Sequence, residues 1–281
     1  MIVIQPRTIL DCVLWFIHMR ASEFVNLAYF ALLTALALIW KFSRQSRGKA
    51  VLIGLAGLLL NGLAAASNNS VLRDWMPVAL MPIAYWQSGC FFQQANPKLQ
   101  AVFERSEEQF AKLLHVNVAE WAQTRLGTLL ELAYVLCYPV VPLGAAALQL
   151  AGLSDHADSY WTVVLLSTYP CYALLPFIQL LPPRLVKKVR QSDESRRRFR
   201  RFNLWLVRHV THEANTFPSG HVAASASIAL VLLRFAPGVG AVFVLVALGI
   251  AFGCVVGRYH YTVDVGAAFL LAATMFALVL S

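Results

Sequence analysis

The chain has 281 residues, 59% of them hydrophobic and only 13% charged, with a formal net charge of +9. A soluble domain carries about a quarter charged residues. The deficit here is concentrated in long apolar runs, which excludes a pair of soluble domains and points to one membrane domain. The basic residues sit beside those runs, so they read as cytoplasmic loop charge or as attraction for anionic head groups, and nucleic acid is not expected as a partner.

In chain order, Ile9 to Met19 is apolar but short, with no small-residue cleavage site in the usual place. It reads as an interfacial helix or the start of an N-terminal anchor. Candidate spans follow at Phe24–Trp40, Val51–Ala66 and Trp75–Phe92. From Pro97 to Arg125 the charged residues Glu104, Arg105, Glu107, Glu108, Lys112 and Glu120 alternate with Val102, Phe103, Phe110, Leu113 and Leu114. That pattern predicts an amphipathic helix lying along a membrane surface or against the bundle. The fourth span, Leu126 to Leu153, contains Pro139 and Pro142, which should kink it. The fifth runs from Tyr160 to Leu181. A polar basic segment, Pro182 to Pro218, precedes three closing spans at Val222–Phe235, Val239–Val256 and Val265–Leu280.

The expected fold is therefore all-α: a polytopic transmembrane bundle of about eight spans with one interfacial amphipathic helix. Residues 1–125 form its N-terminal part and 126–281 the part that holds the polar groups described next, within a single membrane domain. Lys41, Arg44, Arg47 and Lys49 crowd the first loop. With eight spans the basic segment falls on the same side, which the positive-inside rule makes cytoplasmic. Five scattered cysteines (Cys12, Cys90, Cys137, Cys171, Cys254) include no CxxC pair, so neither a disulfide framework nor a zinc site is indicated.

Three polar constellations interrupt the second half. They are Leu180-Leu181-Pro182-Pro183-Arg184, Asn215-Thr216-Phe217-Pro218-Ser219-Gly220-His221, and Gly257-Arg258-Tyr259-His260-Tyr261-Thr262-Val263-Asp264. Ala236-Pro237-Gly238 is a turn signal midway between His221 and His260. A helical hairpin with legs of about 18–20 residues, ~27–30 Å each, returns His260 to the level of His221. The fifth span ends at that level too and brings Arg184. His260 and Asp264, four apart, share a face if a helix begins there, and the carboxylate can then fix one imidazole tautomer. Ser219 and Gly220 stand where the sixth span starts, and a helix N-terminus suits an anion. Arg184 and Arg258 offer guanidinium groups to phosphate oxygens. Each piece also has a plain structural reading, as a helix cap or a packed pair; their meeting at one membrane level is what favours chemistry. Glu131, Tyr134 and Tyr138, at helical spacing, read as packing or as the lining of a head-group cavity.

Pro218-Ser219-Gly220-His221 and His260-x-x-x-Asp264 resemble the hallmarks of the phosphatidic acid phosphatase type 2 (lipid phosphate phosphatase) superfamily. The context His260-Tyr261-Thr262-x-Asp264-Val265 is similar to its sphingomyelin and inositol-phosphorylceramide synthase branch. The resemblance covers roughly the second half of the chain. It implies that His260 is the nucleophile, Asp264 its activating partner and His221 the general acid. It further implies that Ser219 and Gly220 hold phosphate, with no metal or other cofactor and a phosphorylated lipid as substrate. Two motifs depart from the pattern. Pro182-Pro183-Arg184 stands where the family has a lysine, six residues and Arg-Pro, which leaves Arg184 as the phosphate clamp with Lys187 or Lys188 as weaker candidates. Cys254 occupies the usual arginine position six before the histidine, and Arg258 lies only two before it. The expected function is a lipid phosphatase acting on a monoester or diphosphate. A lipid phosphotransferase and a non-catalytic binder of anionic lipids are the alternatives.

Overall fold

The computed structural model describes residues 18–113, 124–186, 198–212 and 214–281. Lys187, Lys188, most of the segment from Ile9 to Met19 and the end of the amphipathic stretch lie outside them. Within the described residues the chain forms twelve α-helices, one short 3-10 turn and no strand beyond an isolated Leu180–Asn215 bridge.

Helices α1 (Ala21–Ile39), α2 (Arg44–Ala65) and α3 (Ser70–Gly89) follow the first three expected spans. Ser43 and Asn69 cap α2 and α3 by accepting the backbone N–H groups of Ser46 and Leu72. Helix α4 (Pro97–Leu113) is the expected amphipathic element. The fourth span is broken into α5 (Arg125–Val135) and α6 (Val140–Leu150), bent by 69° at the break that holds Pro139. Then come α7 (Ala157–Ala173), the single turn α8 (Pro183–Val186), α9 (Arg198–Val210), α10 (Gly220–Phe235), α11 (Pro237–Val256) and α12 (Thr262–Leu280). Helix α9 lies in the basic segment expected only to be polar. Arg200, Asn203 and Val207 recur at helical spacing on its buried side.

Helices α1, α2, α11 and α12 are long and apolar enough to cross a membrane, and the bent pair α5–α6 would be a fifth crossing. Their outward leucines, among them Leu38, Leu59, Leu245 and Leu270, are exposed, as befits faces turned to lipid. Helices α7 and α10 are shorter, and they occupy the centre. Eleven of the seventeen residues of α7 are buried, and α10 packs against α6, α7, α11 and α12. A helix that is buried all round needs no polar stripe, and neither has one.

The predicted hairpin is present. Helix α10 ends at Phe235 and α11 starts at Pro237. A Cβ on Gly240 would sit 2.2 Å from the Leu233 backbone, so only glycine allows this close return. At the same end of the bundle, charged groups tie three helices together. Arg73 grips Glu23 with two bonds of 2.7 Å, Arg20 pairs with Asp74, and Asp158 accepts from the Ser22 amide and hydroxyl at 2.9 and 2.7 Å. The opposite end carries the polar constellations. There the Gln93 side chain donates to the Lys41 carbonyl at 2.7 Å, and its backbone amide donates to the Gln179 side-chain oxygen at 3.0 Å. The basic first loop and the end of α7 therefore share one end of the molecule.

Candidate active site

Helix α12 begins at Thr262, so His260 lies just outside it and Asp264 falls on its first turn. The carboxylate of Asp264 reaches back over that turn. Its Oδ2 accepts from the Tyr261 amide at 2.9 Å and the Asn215 side chain at 2.8 Å, and it faces His260 Nδ1 at 3.3 Å. Asp264 is fully buried and His260 nearly so. Two neutral donors thus fix the carboxylate on the side it presents to the imidazole.

The second constellation meets the first directly. The Ser219 amide donates to the Asp264 carbonyl at 3.1 Å. Ser219 caps α10, accepting weakly from Val222 N at 3.5 Å, and the Phe217–Pro218 peptide is cis. Gly220 opens the helix against the ring of Tyr172, where a Cβ would approach Cε1 to 2.6 Å. His221 follows, its ring centroid 5.8 Å from that of His260. Tyr134 and Tyr138 stand at 5.9 and 6.0 Å on its other sides. His221 Nδ1 is buried without a hydrogen-bond partner among the described residues. Because the Ser219 amide is spent on Asp264 and the Gly220 amide donates to the Thr216 hydroxyl at 3.4 Å, an anion at this helix start would meet the Ser219 hydroxyl and the His221 amide.

The arginines behave differently from each other. Arg184 places its guanidinium 5.5 Å from the centre of the Tyr259 ring, within electrostatic reach of His221. Its amide is anchored to the Arg258 carbonyl at 3.0 Å. Arg258 adopts a left-handed backbone, φ 58°, which turns it out of the α11 helical register. Its side chain donates to the Pro183 carbonyl at 3.4 Å and lines a small cleft with Glu104, Glu107 and Glu108. Arg258 thus stands among the carboxylates of α4 in this structure. Lys187 falls outside the described residues.

Behind His260 lies a buried polar network. Glu131 accepts from Arg200 at 2.6 Å, from the Tyr259 hydroxyl at 2.8 Å and from Asn203. Arg200 also donates to the Gly257 carbonyl at 2.7 Å, and Tyr259 stacks on Tyr134 at 3.7 Å. Of the three residues singled out at helical spacing, Glu131 and Tyr134 therefore hold the loop before His260, whereas Tyr138 lines a cavity beside His221.

Asn215, Gln100 and Glu107 were not singled out as site residues. Asn215 stands in the flank of the second constellation, 49 residues before the carboxylate to which it donates, so nothing local in the sequence marks it. Glu107 accepts from both the amide and the hydroxyl of Thr262, at 2.8 and 3.0 Å, and Gln100 bonds the Tyr261 hydroxyl. Helix α4 thus docks on the start of α12, against the bundle. His212, in the turn before α10, stacks on Tyr85 at 4.0 Å. Burial pushes its imidazole down from 6.5 to about 4. Among the described residues no group of three or more His, Cys, Asp or Glu side chains could hold a metal ion.

A family profile described as the PAP2 superfamily matches residues 106–278, which include every one of these constellations. No curated protein and no solved structure matches the chain.

Proposed function

This chain belongs to the PAP2 superfamily, and from that premise we propose that it is a membrane lipid phosphatase that works through phosphohistidine at His260. Membership supports a phosphatase-type action on phosphoesters in general. The observation that carries the finer reading is the pairing of His260 with Asp264 at 3.3 Å beside a second imidazole whose ring lies 5.8 Å away.

Asp264 accepts the Nδ1 proton of His260 and leaves the Nε2 lone pair free. That nitrogen attacks phosphorus as the bond from phosphorus to the lipid oxygen breaks. His221, entering protonated, gives its proton to the departing oxygen. Neutral His221 then takes a proton from water, whose oxygen attacks the phosphohistidine. Inorganic phosphate leaves and both imidazoles return to their starting states. The phosphoryl oxygens rest against the Ser219 hydroxyl, the His221 amide and the Arg184 guanidinium, with Gly220 leaving room for their approach. Lys41, Arg44, Arg47 and Lys49 gather at the same end of the bundle as Arg184, so the positive-inside rule favours the cytoplasmic side for this site.

The test is phosphate release from a panel of phosphorylated lipids by purified protein and by His260→Ala. Release should vanish in the variant, and undiminished release removes His260 as the nucleophile. Transfer of the head group to a lipid hydroxyl without phosphate release would replace hydrolysis by phosphotransfer. The route uses no metal, so EDTA should leave the rate unchanged; a loss that magnesium restores would contradict it.

A further inference from the structure

A cavity of about 250 Å³ opens on the side of His221 away from His260. Gly220, His221 and Ala224 of α10 form one wall, and Tyr172 of α7 another. The facing wall is Met81 and Tyr85 of α3, which lies outside the segment matched by the family profile. His260 and Asp264 do not line it. His221 is thus the boundary between the nucleophile and this space.

On the proposed mechanism, the atom that touches His221 is the departing oxygen, so whatever that oxygen carries must extend beyond His221. We propose that the cavity holds the first carbons of the leaving alcohol, and that the substrate is the phosphomonoester of a long-chain alcohol whose hydrocarbon starts at the ester oxygen. The claim rests on the phosphatase reading above.

Three features support it. The walls are mostly aliphatic and aromatic, with Val78, Pro82, Val141 and Pro142 completing them. The polar groups that face the space are largely spent: the Thr211 hydroxyl donates to the Val207 carbonyl at 2.8 Å, and the Tyr85 hydroxyl is engaged with Thr211 and the His212 backbone. Among the described residues the Tyr138 hydroxyl and His221 Nδ1 have no hydrogen-bond partner, and both side chains line the cavity. An alcohol with two ester carbonyls near the oxygen would find one donor, the Tyr138 hydroxyl, and would bury the other carbonyl unpaired, at a cost of about tenfold or more in binding. A diphosphate would put its departing phosphate, a charged group, into the same apolar space. At ~30 Å³ for each water-sized group, the cavity takes roughly eight methylenes.

The experiment measures kcat/KM for phosphate release from soluble n-alkyl phosphates, from ethyl to dodecyl, with octyl diphosphate alongside. We expect a rise of up to about fourfold per methylene, the equivalent of ~0.8 kcal/mol, that levels off near eight carbons. Octyl diphosphate should fall at least about tenfold below octyl phosphate. Met81→Trp, which fills the cavity from α3, should move the plateau to shorter chains, and Val141→Trp should do the same from α6. A flat chain-length profile with phosphate release intact overturns the cavity assignment alone, as does an equal loss at every chain length in both variants. No release from any phosphomonoester overturns it together with the phosphatase reading.

Discussion

Removing the carboxylate of Glu131 tests whether the loop before His260 is held from behind. Glu131 accepts three hydrogen bonds, from Arg200, Tyr259 and Asn203, and Arg200 is itself buried. In Glu131→Leu the guanidinium would keep the Gly257 carbonyl at 2.7 Å but lose its ion pair at 2.6 Å. Removing one partner of a buried pair costs about 3–5 kcal/mol. Arg200→Met should cost a similar amount by stranding the carboxylate. Glu131→Leu with Arg200→Met removes both charges, so it should lie well below the sum of the singles, with a coupling of about 2 kcal/mol or more. Tryptophan fluorescence during thermal unfolding in detergent gives the ranking, and phosphate release gives the functional arm. Tyr259 adjoins His260, so the single variants should also lower kcat. Additive losses, or single variants that each cost less than about 1 kcal/mol, would refute the network as a support.

Asp264→Asn keeps the shape of the pair but supplies a donor where His260 Nδ1 needs an acceptor; kcat should fall at least about a hundredfold with KM little changed. Gly220→Ala would drive a Cβ to 2.6 Å from the Tyr172 ring. It should lower kcat/KM by about tenfold or more, and Tyr172→Leu in the same chain should restore part of the loss. His212 is depressed from 6.5 to about 4 in the folded chain, so the folded state binds fewer protons than the unfolded state between those values. Its contribution is complete above pH 6.5 and is lost as pH falls toward 4, by about 3 kcal/mol in all. Thermal scans from pH 7.5 to 4.5 should show that slope in the parent and a flatter one in His212→Phe.

The long apolar runs make the helical bundle legible, and Pro139 marks the break of the fourth span. The hairpin from His221 to His260 was readable because a single Pro-Gly signal divides two runs of similar length. Other features were hidden for physical reasons. The fold of α9 depends on Arg200 and Asn203 finding Glu131 some seventy residues earlier, and charge density alone cannot announce that. Arg258 likewise takes a left-handed backbone with its side chain reaching the Pro183 carbonyl, so spacing from His260 gave no guide to its direction. Asn215 looked like a loop residue because its partner, Asp264, is reached only through the tertiary fold.

Helix α4 has a further meaning through Glu107. By gripping both polar atoms of Thr262 that it can reach, it makes a peripheral ribbon part of the footing on which the His260 loop stands. Val102 and Leu113 on its outer face remain uncovered, which lets the ribbon rest on a lipid surface. A solubilising medium that pries this ribbon loose would therefore slacken the loop from outside, leaving the deep interior intact while catalysis fades.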